Sequence, residues 1–493
     1  MSETVTKSEQ STNTATTGRI TFGRRTIYTD VEEITAENVV QVLDEVMSVH
    51  QKNRSEIEYL HRYYKGRQPI LSRTKEIRSD ICNKIVENRA NEIVSFKVGY
   101  LMGEPVQYVS RSEEESNNEA LNILNDYVYL DNKNVKDKEL AEWFFKCGVA
   151  YKMVVPNKKF TKDSADEESP FCTYILDPRN TFVIRKNDLT KDVIGAVKYV
   201  VKKDNTVIYG VYTDKFYFEV KDGKVIKNET HECEAVPIIE YAANSAKLGA
   251  FEIVLPILDA INIVASNRAD GIEQFIQALL VLKGVDITAE DFAKIKELGG
   301  LKVPLEGDVE YLIQELNQQQ TQTLKDDMYE TVLTICGMPN RNGGSSTSDT
   351  GKAVIMRDGW SAAEARAKDS EEMYKAAEKE ALKIMLRICR VVGDVKIKRS
   401  SVNIRFTRRN FENILEKAQV LTMLLNCDKI HPQLAFSHCG MFVDSELAYT
   451  MSKEYYDSIV AAGEAQHSSS LTEPTSAETA KEGDDDDNIN DAA

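Results

Sequence analysis

Eight cysteines are scattered through these 493 residues, yet none forms a CxxC pair and no Cys/His grouping has zinc-binding spacing. His431 and His438, the latter beside Cys439, share a helical face only loosely, so no metal is expected. No uncharged apolar run approaches the roughly 20 residues of a membrane span. No apolar segment follows a basic start, so no secretory leader is expected, and the sequons at Asn53 and Asn228 carry no weight. The expectation is a soluble protein made inside the cell, with buried thiols in a reducing compartment. Tryptophan is scarce, and Trp143 and Trp360 read as packing residues. Two motifs are incomplete. Thr350-Gly351-Lys352 resembles the end of a phosphate-cradling loop, but Ser346 and Ala353 stand where that loop needs glycine and Ser/Thr. Asp484 to Asn488 lacks the sixth-position glycine and closing glutamate of a calcium loop. Neither cofactor binding nor catalysis is expected.

What is present is charge and helical periodicity. The net charge is −17, and from Gly463 onward nine acids face one lysine, so much of the excess sits in a tail expected to be disordered. The length suits about three units of roughly 150 residues. The organising stretch runs from Tyr311 to Val392: a helix, a Gly/Ser loop, then a longer helix. Leu316, Leu324, Met328, Val332 and Ile335 give the first limb an apolar stripe, while Asn317 to Thr323 is polar on every face. Cys336-Gly337-Met338-Pro339 stops it, and residues 340–351 are a loop by composition. Met373, Ala377, Ala381, Ile384, Ile388 and Val391 stripe the second limb.

In chain order, residues 1–29 are rich in Ser and Thr and expected to be disordered. Val31 to Tyr64 reads as two helical segments, stopped by Gly66 and Pro69. Asp80 is expected to cap a helix running to Gly99, followed by a strand from Tyr100 to Val109 and a helix from Leu121 to Cys147. Between about 150 and 241 the period changes to two, which predicts an antiparallel meander with turns at Asp204-Asn205, Thr213-Asp214 and Asp222-Gly223. Asn244 or Ser245 is expected to cap the next helix, with Pro256 marking either a kink or a nearby start. An apolar run from Phe275 to Leu282, a capping box at Thr288 to Asp291 and strand character at Val309 to Ile313 form a small insert between two long helices. Phe411 to Asn426 and Asp444 to Ala462 read as amphipathic helices. The fold class is α+β.

Four stretches carry a family resemblance: Tyr63 to Leu71, Asn83 to Val86 with Val98 to Val106, Leu176 to Ile184, and Ile404 to Arg409. In this order, over about residues 50–460, the chain resembles the portal proteins of tailed bacteriophages, in the SPP1-portal-like group. The resemblance implies a ring of about 12–13 copies at one capsid vertex, a channel for double-stranded DNA in packaging and ejection. It also implies docking of terminase and of a head-completion or adaptor protein, contact with major capsid and scaffolding proteins, a location in the virion and no membrane. The implied divisions are a wing at 30–242, stem helices at 243–270 and 313–337, and a clip at 271–312. A tunnel loop at 338–351, a spanning helix at 352–393, a wing strand at 394–409, a crown at 410–462 and a tail at 463–493 complete them.

A channel must guide DNA without gripping it, and even six to ten firm phosphate contacts bind tightly. Amides, hydroxyls and mixed charge avoid that grip. By resemblance the lining is Gln318, Gln319, Gln322, Lys325, Asp326, Asn340, Arg341, Asn342, Ser345, Ser346, Thr347, Asp349 and Lys352. The expectation is that Asp326, Asp327 and Asp349 neutralise Lys325, Arg341 and Lys352. The basic run from Lys396 to Arg409 reads either as a half-buried strand with a solvated face or as a contact with DNA or an acidic neighbouring subunit. Arg405, Arg408 and Arg409 are candidates for the subunit contact, since in a crowded ring they otherwise lack partners. The competing readings are a non-channel head–tail adaptor and a nucleotide-driven DNA translocase.

Overall fold

The computed structural model describes residues 23–469 except 77, 112–114, 277–278, 284–307, 313–317, 341–358, 393–394, 409–413 and 443–444. The structure orders the chain earlier than composition suggests. Arg24 is buried, its guanidinium 3.2 Å from Glu56 and also paired with Glu252. Ile27 enters the core, and β1 (Tyr28–Thr29) pairs in parallel with a later strand. These partners lie up to 228 positions away, beyond the reach of local composition.

A single helix, α1 (Val39–Tyr64), replaces the two expected segments. Its first half packs Val39, Val42, Leu43 and Val46 under one sheet, and its second half packs Ile57, Leu60 and Tyr63 into a separate, larger core. Helix α2 begins at Arg89 and runs to Leu101, so Asp80 is no cap. The β2 strand is short (Gln107–Ser110), because α2 has already used Tyr100 and Leu101. The expected helix at 121–147 is two, α3 (Glu115–Leu130) and α4 (Lys133–Cys147), broken where Asn132 adopts φ 56.

The expected meander is divided between two sheets. β3 (Val149–Pro156) and β4 (Phe171–Leu176) join a later strand, β10 (Ile238–Ala242), in the order β10-β3-β4. The true meander is β5 (Thr181–Lys186), β6 (Val193–Val201), β7 (Val207–Tyr212), β8 (Phe216–Lys221) and β9 (Lys224–Thr230), completed by β1 as β1-β5-β6-β7-β8-β9. Its β8–β9 turn uses positive φ at Asp222 and Gly223, the geometry of a two-residue hairpin. Phe182, Val197, Val211 and Phe218 from this sheet meet the first half of α1.

Helix α5 (Leu255–Ile276) follows a single 3₁₀ turn at Glu252–Val254. Pro256 is its second residue, where a missing N–H costs nothing, so there is no kink and neither Asn244 nor Ser245 caps it. β11 (Leu279–Lys283) pairs antiparallel with β12 (Asp308–Leu312), so Tyr311 belongs to a strand and not to the helix after it. The capping box at Thr288 lies outside the described residues. Helix α6 (Gln318–Cys336) and helix α7 (Trp360–Val392) are the two limbs foreseen. On α7, Ala381, Ile384 and Ile388 are buried as expected, but Val391 is exposed, and Tyr374, Leu382, Met385 and Cys389 complete the inward face. β13 (Val402–Arg405) pairs with β2. Exposed Lys396 and Lys398 alternate with buried Val395 and Ile397, the pattern of a half-buried segment.

Residues 410–493 form a second unit. It contains α8 (Ile414–Leu425), α9 (Pro432–Cys439) and α10 (Ser445–Ser469), so its last helix passes the expected end at 462. His431 caps α9, its Nδ1 accepting the Gln433 N–H at 3.2 Å.

Candidate functional site

Helix α6, with Asn340 just beyond its end, carries the described part of the proposed lining. Met328, Tyr329, Val332, Leu333 and Cys336 face the protein, whereas Leu324 and Ile335, counted in the expected apolar stripe, are exposed. Gln319, Thr323, Asp326, Asp327 and Glu330 are exposed as well. The helix has one basic residue, Lys325, and it does not serve the neighbouring aspartates as expected. It is turned inward, with Nζ 2.7 Å from Glu87 Oε1. The exposed charges of α6 are therefore acidic only: Asp326, Asp327 and Glu330. Gln322 is half-buried, donating to Asp326 Oδ1 at 2.7 Å and accepting from Arg268. Asn340 donates to Glu330 Oε1 at 3.0 Å. Gln318 opens the helix, and its side chain is outside what is described. Arg341, Asn342, Ser345, Ser346, Thr347, Asp349 and Lys352 also lie outside the described residues.

Helix α2 holds the inner side of α6. Tyr329 donates to Glu92 at 2.8 Å, and the Arg89 guanidinium lies 4.1 Å over the Tyr329 ring. At the C-terminus of α6, Lys97 donates to the Cys336 carbonyl at 2.8 Å, which places a cation at the negative end of the helix dipole. Burial pushes the Lys97 pKa down. Gly337 follows at φ 63, and a Cβ there would come 2.6 Å from Arg366 Cγ, so both conformation and space call for glycine.

The motif from Asn83 to Val86 owes its sequence to α5. The chain from 83 to 87 is not helical, and its backbone must find partners elsewhere. Asp270, Ser266 and Asn262, each one helical turn apart, accept the N–H groups of Asn83 (2.7 Å), Ile85 (2.9 Å) and Glu87 (2.8 Å). A period of two on the strap meets a period of four on the helix. Arg73 and Lys75 balance the buried Asp270, at 3.1 and 2.6 Å.

Sequence reasoning also missed a buried ionic cluster. Glu378 on α7 accepts from Lys152 (2.8 Å) and Tyr108 (2.7 Å), and Lys133 stands 3.2 Å away. Asp137 takes Lys152 at 2.9 Å and Tyr374 at 3.0 Å. All are buried, and the two lysines hold the Glu378 carboxyl well below the usual range against its desolvation. The only hint in the sequence was Glu378 interrupting the apolar side of α7.

The basic run is also resolved internally. Arg408 grips Glu364 (Nη2 2.8 Å, Nε 3.1 Å) and Glu371 (Nη1 2.6 Å) on α7. The premise that it lacks a partner within the chain is therefore corrected. Arg405 is half-buried opposite Gln107, and Arg409 lies outside the described residues.

These features define a mixed helix-and-sheet protein with an exposed polar helix whose bare charges are acidic, held on its inner side by α2 and by the Lys325–Glu87 pair. The chain belongs to the family of phage portal proteins of the SPP1 Gp6-like type, whose profile matches residues 43–458. It is 23% identical over 289 residues to the portal protein of Bacillus phage SPP1, covering 52% of this chain and 53% of that one. It is 20% identical over 284 residues to the portal protein of Clostridium phage phiCD119, covering 52% and 61%. The aligned part thus spans about half the length of these curated relatives. Among the described residues, no helix is long and apolar enough to cross a membrane.

Proposed function

We propose that copies of this chain close into a ring at one capsid vertex, and that double-stranded DNA passes through its axial channel during packaging and ejection. In this reading residues 23–242 with β13 form the wing, α5 and α6 the stem, and the β11–β12 pair part of a clip that docks terminase and later a head-completion protein. Helix α7 spans the wing, residues 410–462 begin the crown, and capsid and scaffolding proteins meet the outside. The role is structural, and the energy for packaging comes from the docked terminase.

The observation that carries the reading is the outward face of α6, where amides, hydroxyls and carboxylates are exposed and Lys325 is turned away to Glu87. Duplex DNA carries one negative charge per ~1.7 Å, and about six to ten firm phosphate contacts already hold it strongly. A ring in which each copy offered one fixed lysine would reach that number. An acidic face keeps the duplex centred by repulsion and leaves a film of water for it to slide on. The test is imaging of the purified full chain. A ring of about 12–13 copies with an axial hole supports the reading, and a chain that stays monomeric at high concentration overturns it.

A further inference from the structure

Strand β6 runs past the end of its neighbour. β5 begins at Thr181, opposite Lys198, and the chain before it turns away, with Asn180 donating its N–H to the Asp177 carbonyl at 3.0 Å. β6 continues to Val201. Antiparallel strands alternate the side to which each residue turns its N–H and C=O. Tyr199 gives its N–H to the Asn180 carbonyl at 3.0 Å on the β5 side, and Lys202 gives its N–H to the Thr206 carbonyl at 2.9 Å on the β7 side. Val201 therefore turns its backbone groups toward the β5 side, at a level that β5 does not reach. Among the described residues nothing pairs with its N–H. An open rung of this kind is a template for another strand.

A cleft of about 320 Å³ lies along the open edge, lined by Arg54 of α1, by Asn180 and Thr181, and by Lys198, Val200 and Val201. That size is near the lower end for ligand sites, roughly 300–1,000 Å³. Its chemistry says what would fill it. Among the described residues neither Arg54 nor Lys198 has an ion pair, and the one acid in the lining, Asp177, is held by Arg179. The Oδ1 of Asn180 is buried with no donor. Val200 and Val201 are 53% and 47% exposed. Unpaired cations call for carboxylates, whereas a lone acceptor beside an open rung calls for a peptide backbone. A bare phosphate or a DNA backbone would answer the cations alone. We propose that this cleft binds an extended acidic peptide of another protein, which continues the line of β5 as an added strand and sets its carboxylates on Arg54 and Lys198. The site lies within the first unit and needs no ring.

The probe is a fluorescent hexapeptide of alternating valine and glutamate, titrated onto the full-length chain and followed by anisotropy. Saturable binding is the expected result, with none for the valine–lysine counterpart. Arg54→Glu and Lys198→Glu should each weaken it by about tenfold or more. Val201→Pro removes the open N–H without touching the β7 ladder and should weaken it as well. N-methylation of alternate amides in the probe, which leaves the protein untouched, should abolish binding. An acidic peptide that does not bind overturns the proposal, as does equal binding to the Arg54→Glu and Lys198→Glu variants. Binding that ignores N-methylation and is displaced by inorganic phosphate or duplex DNA marks a plain anion site, and overturns it. Binding that appears only when the chain is too dilute to self-associate shows that a second copy fills the cleft, and overturns it too.

Discussion

Lys152 and Glu378 are 226 positions apart in the chain, and they meet in the core with Nζ 2.8 Å from Oε2. One comes from a central strand of the three-stranded sheet and the other from the longest helix, so the contact sets the register of α7 against the sheet. Breaking a buried pair by removing one partner leaves an uncompensated charge. Glu378→Ala should destabilise the first unit by about 3–5 kcal/mol. Denaturant unfolding of the full chain checks this, and a loss under 1 kcal/mol would show the cluster to be dispensable.

The strap on α5 makes a graded prediction. Ser266→Ala and Asn262→Ala each strand one backbone N–H, at a cost of about 1–3 kcal/mol apiece. Their effect should be local, with faster hydrogen exchange at the Ile85 amide in the first variant and at Glu87 in the second. Uniform acceleration over the whole unit would argue that the strap is not held rung by rung.

Stability should fall on mild acidification. His50 touches the Arg179 carbonyl and the Tyr199 hydroxyl, and burial, aided by Arg54, lowers its pKa from 6.5 to about 4. Burial, with Lys146 close by, also lowers His61 to about 4. The unfolded chain takes up protons near pH 6.5, while the folded chain resists them until about pH 4. The contribution is therefore complete above pH 6.5 and lost as pH drops toward 4. Melting curves across this window should show the decline, and His50→Gln should flatten it.

The acidic face of α6 can be inverted. Asp326→Lys with Asp327→Lys should leave rings assembled but slow DNA passage by about tenfold or more, with retention that weakens steeply as salt rises. Packaging at the wild-type rate would show that repulsion by this face is not what frees the duplex.

The helix stop at Cys336-Gly337-Met338-Pro339, the strand period after 150 and the two long limbs were legible because each is written in neighbouring residues. The errors share a cause. Asp80 looked like a cap because Ile81 and Ile85 continue the apolar spacing of α2. That spacing instead serves a strap whose N–H groups are taken by side chains about 180 residues downstream. Arg408 looked unpartnered because its acids lie 37 and 44 positions earlier.

The sequence by itself determined the class of each long element, the polar composition of the first turns of α6 and the motifs by which the family is recognised. These depend on periodicity and on residue type, which act over a few positions. Only the tertiary structure decided that Lys325 faces Glu87 and not the aspartates beside it, that Leu324 is exposed, and that Glu378 lies between two lysines. Direction around a helix axis and the pairing of distant charges follow from what the rest of the fold places opposite, and no local pattern encodes that.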